Sequence, residues 1–201
     1  MGKKITKLLS LVVLLLVINL AFTNDAKAAT AGVPLSITVN GSLLLTDAGN
    51  DTMSGQDPTL NVNIAVTPDL GATTASGSAN FRVRTNNTNW RVTAQRTASS
   101  TGSTGIADGD VKVDIATSAG TTGNASAGAL AAPFNAQTNL SSIPTASAAD
   151  VITGTAKTSS AKDGSNTNNY FQVDTTYSIA PDFFFAPGIF STTITYSVVS
   201  P

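Results

Sequence analysis

The fold is decided by one stretch of the chain, Phe171-Gln172-Val173-Asp174-Thr175-Thr176-Tyr177-Ser178-Ile179. Every second residue from Phe171 to Ile179 is apolar or a threonine, and the residues between them are polar. Successive side chains of an extended chain point to opposite faces, so this period of two predicts a strand with one buried face. The length also suits a strand that crosses a whole sheet.

The same alternation recurs on both sides of this stretch. The number of rows is that of an immunoglobulin-like antiparallel β-sandwich, so we expect an all-β fold with long loops rich in Ala, Ser, Thr and Gly. Good helix formers are scarce, and no stripe with a period of 3.6 residues is present. The rows cover residues 33–39, 60–66, 81–84, 90–94, 111–115, 171–179 and 190–198, with weaker candidates at 43–45 and 151–156.

The connections between the rows carry two specific predictions. Thr85-Asn86-Asn87-Thr88 predicts a hairpin, because Asn tolerates the positive φ of a tight turn. Residues 117–149 are long for a loop, so they predict a flexible insertion or a segment that contains a short strand or helix, with residues 127–132 as the candidate helical turn. One domain over residues 29–201 accommodates all of these elements.

Residues 1–28 have the pattern of a secretory signal peptide. Lys3, Lys4 and Lys7 precede an apolar run over residues 8–22, and Ala26 and Ala28 are the small residues that a signal peptidase requires. The run is shorter than the roughly 20 residues of a membrane span, so no permanent span is expected after processing. The chain has no cysteine for lipid attachment and no LPxTG-like sorting signal. We therefore expect an extracellular or cell-surface location.

Composition excludes most catalytic chemistry. The chain has no His, Cys or Glu, so the common nucleophile–base arrangements and zinc sites cannot form. Asp108 and Asp110 flank a glycine, which favours a turn over a glycosidase pair. Beyond residue 28 the formal net charge is −4, with seven basic and eleven acidic residues. We expect no enzyme activity, no cofactor and no nucleic-acid partner.

Two clusters of polar and charged residues each have a structural and a functional interpretation. The four arginines Arg82, Arg84, Arg91 and Arg96 indicate a solvated face of a sheet, or less readily an anion-binding patch. The oxygen-rich loop that follows residue 46 is an Asx-rich turn or, less readily, a Ca²⁺ site. The candidate ligands are Asp47, Asn50, Asp51 and Asp57.

Two short motifs resemble the WxL family of Gram-positive cell-surface domains. Trp90-Arg91-Val92 matches the internal W-x-Φ strand with valine for leucine, and Tyr196-Ser197-Val198 stands where the C-terminal motif would lie. Gly188, Phe190, Thr193 and Thr195 fit the segment that precedes it. The resemblance implies an extracellular β-domain held non-covalently at the cell wall, with Trp90 and Tyr196 as binding residues. Both residues also fit the core of a sandwich, and this interpretation is preferred.

A second resemblance is to chaperone-usher pilins. Residues 29–40 look like the N-terminal donor strand of such a subunit, because Val33, Leu35, Ile37 and Val39 alternate with polar residues. The resemblance implies a homopolymer built by strand donation. An ordinary first strand in the chain's own sheet explains the same pattern.

Phe183, Phe184 and Phe185 lie between Pro181 and Pro187. Three consecutive rings cannot all face one core in an extended chain, so at least one is expected at a surface, an interface or a loop-covered pocket. The sequence thus predicts a non-catalytic structural or binding module that is held through its β-surfaces. Its expected partner is a cell-wall polymer or another surface subunit, with a fimbrial subunit as the alternative.

Overall fold

The stretch that decides the fold is the central strand of the larger of two antiparallel sheets. The structure is a computed structural model that describes residues 34–201, so the predicted signal peptide at residues 1–28 lies outside the described residues. Residues 40–201 form the β-sandwich, and residues 34–39 belong to a separate unit. The predicted all-β antiparallel sandwich is confirmed.

Nine strands in two sheets are described. The larger sheet has the order β1-β2-β8-β4-β6, and the smaller sheet has the order β5-β7-β3-β9. Every pairing is antiparallel. The bounds are β1 Leu43–Asp47, β2 Ala75–Thr85, β3 Trp90–Arg96, β4 Lys112–Ala119, β5 Gly128–Leu130, β6 Thr138–Asn139, β7 Ala149–Gly154, β8 Phe171–Ile179 and β9 Ile194–Val199.

The core lies between the inward rows of the two sheets. In β8 every second residue from Phe171 to Ile179 is buried, and in β3 every second residue from Trp90 to Arg96 is buried. Burying one large apolar side chain contributes about 1.5–3 kcal/mol, so these two central strands supply much of the stability. The predicted period of two is therefore the period of burial.

Two predicted strands are not strands among the described residues. Residues 34–39 have no regular secondary structure, and Val33 lies outside the described range. Residues 60–66 keep their alternation, because Leu60, Val62, Ile64 and Val66 are half-buried and pack against the core. They form no ladder with any described strand. The side-chain pattern predicts which face is buried, but it does not show that the segment forms no ladder with the described strands.

The predicted hairpin at residues 85–88 is wrong. β2 pairs with β1 and β8, whereas β3 pairs with β7 and β9, so the connection crosses from one sheet to the other. Neither Asn86 nor Asn87 has the positive φ that a two-residue hairpin requires. Asn86 instead fixes the chain before β1, since its side chain accepts from the N–H of Ser42 and donates to the carbonyl of Asn40.

Residues 117–149 are folded into the sandwich. Ala127, Phe134, Leu140 and Ile143 are fully buried, and the segment contains β5 and β6. The alternative of a short strand is confirmed by β5 and β6, whereas the helical turn at 127–132 is not observed, because β5 lies there. Isolated apolar residues within Ala- and Ser-rich sequence gave no periodic signal, so the prediction of a flexible insertion missed them.

Trp90 fills a slot that two glycines leave open. A Cβ on Gly154 would overlap the indole ring, and one on Gly128 would lie 3.1 Å from it. The indole Nε1–H donates to the carbonyl of Ala156 at 2.8 Å. From the opposite sheet, Phe171 meets the ring edge-on with 5.6 Å between centroids. Trp90 thus joins the two sheets at a position that admits no side chain beneath it.

Gly154→Ala is expected to lower the free energy of unfolding by about 1–3 kcal/mol, because the methyl group would overlap the indole ring. Urea denaturation measures the change. Gly164→Ala is the matched control, since no atom lies within 4 Å of the position its methyl group would take, and its cost should stay within about 0.5 kcal/mol. Equal stability of the two variants would contradict the role given to the slot.

Candidate interaction surfaces

One long side of the sandwich is closed differently from the other. The side between β1 and β9, one edge strand from each sheet, is called the open side. β9 pairs with β3 only, and β1 covers β2 only over residues 81–85. Among residues 34–201, no strand pairs with the outer edge of β9 or with residues 75–79 of β2 on this side, and the carbonyl of Asn80 accepts from the N–H of Ala48 at 3.1 Å. Unpaired strand edges are templates for another strand.

Residues 60–66 cover part of the open side, and we call this segment the plug. A Cβ on Gly77 of β2 would lie 2.7 Å from Cγ1 of Val62 and 3.3 Å from Cγ1 of Ile64. Gly77 has the same inward parity as the buried Phe81, so the plug faces β2 from the layer of the smaller sheet. Tyr196 of β9 lies in the same layer, with its ring 5.1 Å from that of Phe81.

The plug is held by side chains alone within the described structure. Its apolar row packs against the core, yet none of the backbone groups of residues 58–68 has a hydrogen-bond partner among residues 34–201. Pro58 and Pro68 bracket the segment, and proline cannot donate to a ladder. Those prolines are the sequence signal that separates this row from the true strands.

The predicted aromatic segment forms a loop with two exposed rings. Phe183 and Phe184 are 72% and 77% exposed, whereas Phe185 is half-buried against the core. The backbone is fixed, because Asp182 accepts from the N–H groups of Phe184 and Phe185 and the N–H of Ala186 donates to the carbonyl of Thr104. The rings of Phe183 and Phe184 are therefore exposed to solvent on a loop whose backbone is fixed by hydrogen bonds. This outcome agrees with the expectation that at least one ring lies at a surface.

Further exposed apolar residues lie at the same end of the sandwich. Ile189 is 79% exposed and contacts Gly102, and Leu70 is 91% exposed in the turn before β2. The start of β2 pairs with the end of β8, which brings both loops to one end. We call Phe183, Phe184, Ile189 and Leu70 the apolar tip. Sequence reasoning missed its last two members, because single apolar residues in loops carry no pattern.

The two motif residues of the WxL resemblance lie in the core. Trp90 is fully buried, so its ring is not available to an external ligand in this structure. Tyr196 is half-buried, and its hydroxyl shares a hydrogen bond of 2.9 Å with that of Tyr177. Burial raises the pKa of both hydroxyls above the ordinary tyrosine value. Both phenols are therefore neutral at physiological pH and act as packing groups.

The predicted cation ligands do not converge on one point. Asp51 accepts from Arg84 at 2.6 Å and from Arg82 at 2.7 Å, so its two oxygens face guanidinium groups. Asp47 accepts from the N–H of Gly49, as in an Asx turn. Among residues 34–201, no three acidic side chains are grouped as metal ligands. The contacts of Asp51 correct the Ca²⁺ interpretation, because a cation would compete with two arginines for the same oxygens.

The four arginines do not share one face. Arg82 and Arg84 lie on the outer face of the larger sheet, where Tyr170 stacks under Arg82 at 3.9 Å. Arg91 pairs with Asp150 on the outer face of the smaller sheet. Arg96 is on the inward parity of β3 and is buried, with its guanidinium bonded to Asp108 and to the carbonyl of Ile143. Arg82 and Arg84 share Asp51, whereas Arg91 and Arg96 each pair with a carboxylate of their own, which corrects the prediction of one arginine face.

Burial alone would raise the pKa of Asp51, but hydrogen bonds from Arg84, Thr46 and Arg82 and the charge of Arg84 outweigh it. The pKa of this carboxyl therefore lies well below its usual range. A depressed pKa stabilises the fold above the pKa of the unfolded state, about 3.9, and this stabilisation is lost as the pH falls below that value. Asp51 is thus an acid-sensitive clamp between the loop after β1 and the outer face of β2.

Comparison with protein-family models and with curated proteins gave no match for this sequence. In the part of the chain that the structure describes, no helix is both long enough and apolar enough to cross a membrane. The surfaces therefore have to be interpreted from their own geometry.

Asp51→Asn is expected to lower the free energy of unfolding at pH 7 by on the order of 2 kcal/mol, because two partly buried guanidinium groups lose their counter-ion. Between pH 5 and pH 2, the free energy of unfolding of the variant should also fall by about 1–2 kcal/mol less than that of the parent. Urea denaturation at both pH values measures this. Asp57→Asn is the control at an exposed carboxylate, and acid profiles that match for parent and Asp51→Asn would contradict the clamp.

Proposed function

We propose that this protein is an exported, non-catalytic structural module that attaches non-covalently to a cell-surface partner through its β-surfaces and its apolar tip. The partner we expect is a cell-wall polymer or another surface protein subunit. The observation that carries the proposal is the apolar tip, in which Phe183 and Phe184 are held in water by a folded loop. Ordered, exposed aromatic rings favour association, because they desolvate a large area at little cost in side-chain entropy.

The sequence pattern of the first 28 residues supports export, and the missing His, Cys and Glu support a non-catalytic role. The resemblance to the WxL family supports the cell wall as partner, but its two motif residues pack in the core. Wall attachment by this chain would therefore use the apolar tip and not Trp90 or Tyr196. That assignment separates this proposal from one based on the motif alone.

The double variant Phe183→Ser/Phe184→Ser should reduce co-sedimentation with purified peptidoglycan or whole cell surfaces by at least about tenfold, as loss of a small binding hot spot does. Its melting temperature should stay near that of the parent, because both rings are exposed. Met53→Ser is the control, since Met53 is equally exposed outside the apolar tip. If the double variant co-sediments as well as the parent does, the apolar tip is not the attachment surface.

A second candidate is the homopolymer that the pilin resemblance implies. One observation favours it: Leu35, Ile37 and Val39 are 83%, 76% and 79% exposed. An exposed apolar row with a period of two has the side-chain pattern of a strand that would pair with a sheet. Analytical ultracentrifugation of the exported chain decides between the two, because a wall-binding module stays monomeric and a polymerising subunit gives a concentration-dependent ladder.

A further inference from the structure

We propose that the peptide group between Asn40 and Gly41 is a site of spontaneous deamidation, and that the side-chain amide of Asn86 promotes the reaction. The site lies where residues 34–39 join the sandwich, shortly before β1. It involves neither the apolar tip nor the plug, so it adds a covalent modification that is independent of the attachment surface.

Asn40 is the only asparagine of the chain that precedes a glycine. In deamidation the main-chain nitrogen of the following residue attacks the side-chain amide carbon, so these two atoms have to come close together. Glycine has no Cβ to obstruct the approach, and it reaches unusual backbone angles at the lowest cost. Every other asparagine is followed by a residue whose side chain hinders the attack. This chemistry is therefore concentrated at residue 40.

The reacting groups are accessible in the folded chain. Asn40 and Gly41 are exposed, and both lie in a segment without regular secondary structure. Among residues 34–201, neither the side chain of Asn40 nor the N–H of Gly41 has a hydrogen-bond partner. The reaction therefore has no strand ladder and no side-chain contact to break at either reacting group, and water reaches both of them.

Asn86 holds the peptide group that carries the attacking nitrogen. Its Oδ1 accepts from the N–H of Ser42 at 2.7 Å, and its Nδ2–H donates to the carbonyl of Asn40 at 2.8 Å. The N–H of Ser42 can only donate, so the oxygen of Asn86 faces Ser42 and its nitrogen faces Asn40. Asn86 therefore donates to the carbonyl oxygen of the same peptide group whose nitrogen attacks.

This contact favours the deprotonation that has to precede the attack. When Gly41 loses its N–H proton, the negative charge is shared with the carbonyl oxygen of Asn40 through amide resonance. A hydrogen bond to a charged acceptor is stronger than one to a neutral acceptor, so Asn86 stabilises the deprotonated peptide group more than the neutral one. The difference corresponds to about threefold to tenfold in rate.

The reaction consumes water and releases ammonia, and it needs no enzyme or cofactor. Hydroxide removes the proton of Gly41, the nitrogen bonds to Cγ of Asn40, and the bond from Cγ to Nδ2 breaks as the leaving ammonia takes a proton from water. Water then opens the cyclic imide at Cγ to give aspartate, or at the main-chain carbon to give isoaspartate. Either product places a new carboxylate where residues 34–39 join the sandwich, and isoaspartate also lengthens the main chain there by a methylene.

Incubation of the exported chain at pH 7 and pH 9, followed by peptide mass spectrometry, measures the rate at each asparagine. We expect Asn40 to deamidate at least about tenfold faster than any other asparagine, because only its attacking nitrogen belongs to a glycine. The rate should rise with pH, since Gly41 has to be deprotonated, and isoaspartyl methyltransferase should label the same peptide. An asparagine elsewhere in the folded chain that reacts as fast as Asn40 would overturn the proposal.

Gly41→Ala should slow the reaction at Asn40 by at least about tenfold, because its methyl group obstructs the attack. That methyl group would lie 2.8 Å from Oδ1 of Asn87, which is the end of a side chain that can turn away, so the fold should be kept. Gly109→Ala is the matched control, since its methyl group would meet no atom within 4 Å, and it should react at the parent rate. A Gly41→Ala chain that reacts at the rate of this control would contradict the proposed site.

Two variants of Asn86 separate promotion from mere restraint. Asn86→Asp keeps an acceptor for the N–H of Ser42 but cannot donate to the carbonyl of Asn40, whereas Asn86→Ala loses both contacts. Both variants should react about threefold to tenfold more slowly than the parent. A peptide of residues 36–45 has the Asn–Gly pair without Asn86, so it should also react more slowly than the folded chain, and this comparison needs no variant to fold. If either variant or the peptide reacts as fast as the folded parent, Asn86 does not promote the reaction and the proposal is overturned.

Discussion

The indole ring of Trp90 lies over bare backbone at Gly154 and meets Phe171 from the opposite sheet. The chain has no cysteine, so no disulfide can clamp the sheets, and inter-sheet packing has to do so. Trp90 is the largest fully buried side chain among the described residues, and it joins β3 to β7 within one sheet and to β8 across the core. This ring therefore links the two sheets at the centre of the packing that the rest of the fold relies on.

The two long sides of the sandwich are closed by different means. On the side of β5 and β6, residues 127–143 pass from one sheet to the other and bury Phe134, Leu140 and Ile143. On the open side, the plug contributes half-buried side chains and no ladder to the described structure. Within residues 34–201, the first side is therefore closed by covalent continuity and hydrogen bonds together, and the open side by apolar contact alone. The outer edge of β9 therefore has no partner strand among the described residues, and such an edge is a template for another strand.

The sequence predicted what depends on side-chain alternation, because burial on one face produces it directly. It identified β8, β2, β3 and β4, although it began β9 too early. Alternation cannot tell a paired strand from an unpaired one, so the same rule predicts strands at residues 33–39 and 60–66. The Asn86-Asn87 turn was misassigned because turn propensity does not reveal which sheet the next strand joins.

The candidate surfaces were predicted unevenly for similar reasons. Exposure of part of the Phe183–185 run followed from the geometry of an extended chain, but which rings are exposed depended on the loop contacts of Asp182 and Thr104. The pairing of Asp51 with Arg82 and Arg84 joins residues more than thirty positions apart, so the local Asp- and Asn-rich sequence predicts an Asx-rich turn, with a cation site as the less favoured alternative, and does not reveal the ion pairs. Charges that meet only in the folded state leave no mark on the spacing of a sequence.

Hydrogen exchange followed residue by residue tests the central claim most directly, namely that the plug is packed without being paired. We predict that amides of residues 60–66 exchange close to the rate of an unstructured chain, while the amides of β8, which has a partner strand on each side, are protected by several orders of magnitude. The half-buried side chains of the plug should still show restricted motion in side-chain relaxation measurements. Protection of residues 60–66 equal to that of β8 would contradict this claim, because it would show that the open side is already closed by a hydrogen-bonded strand.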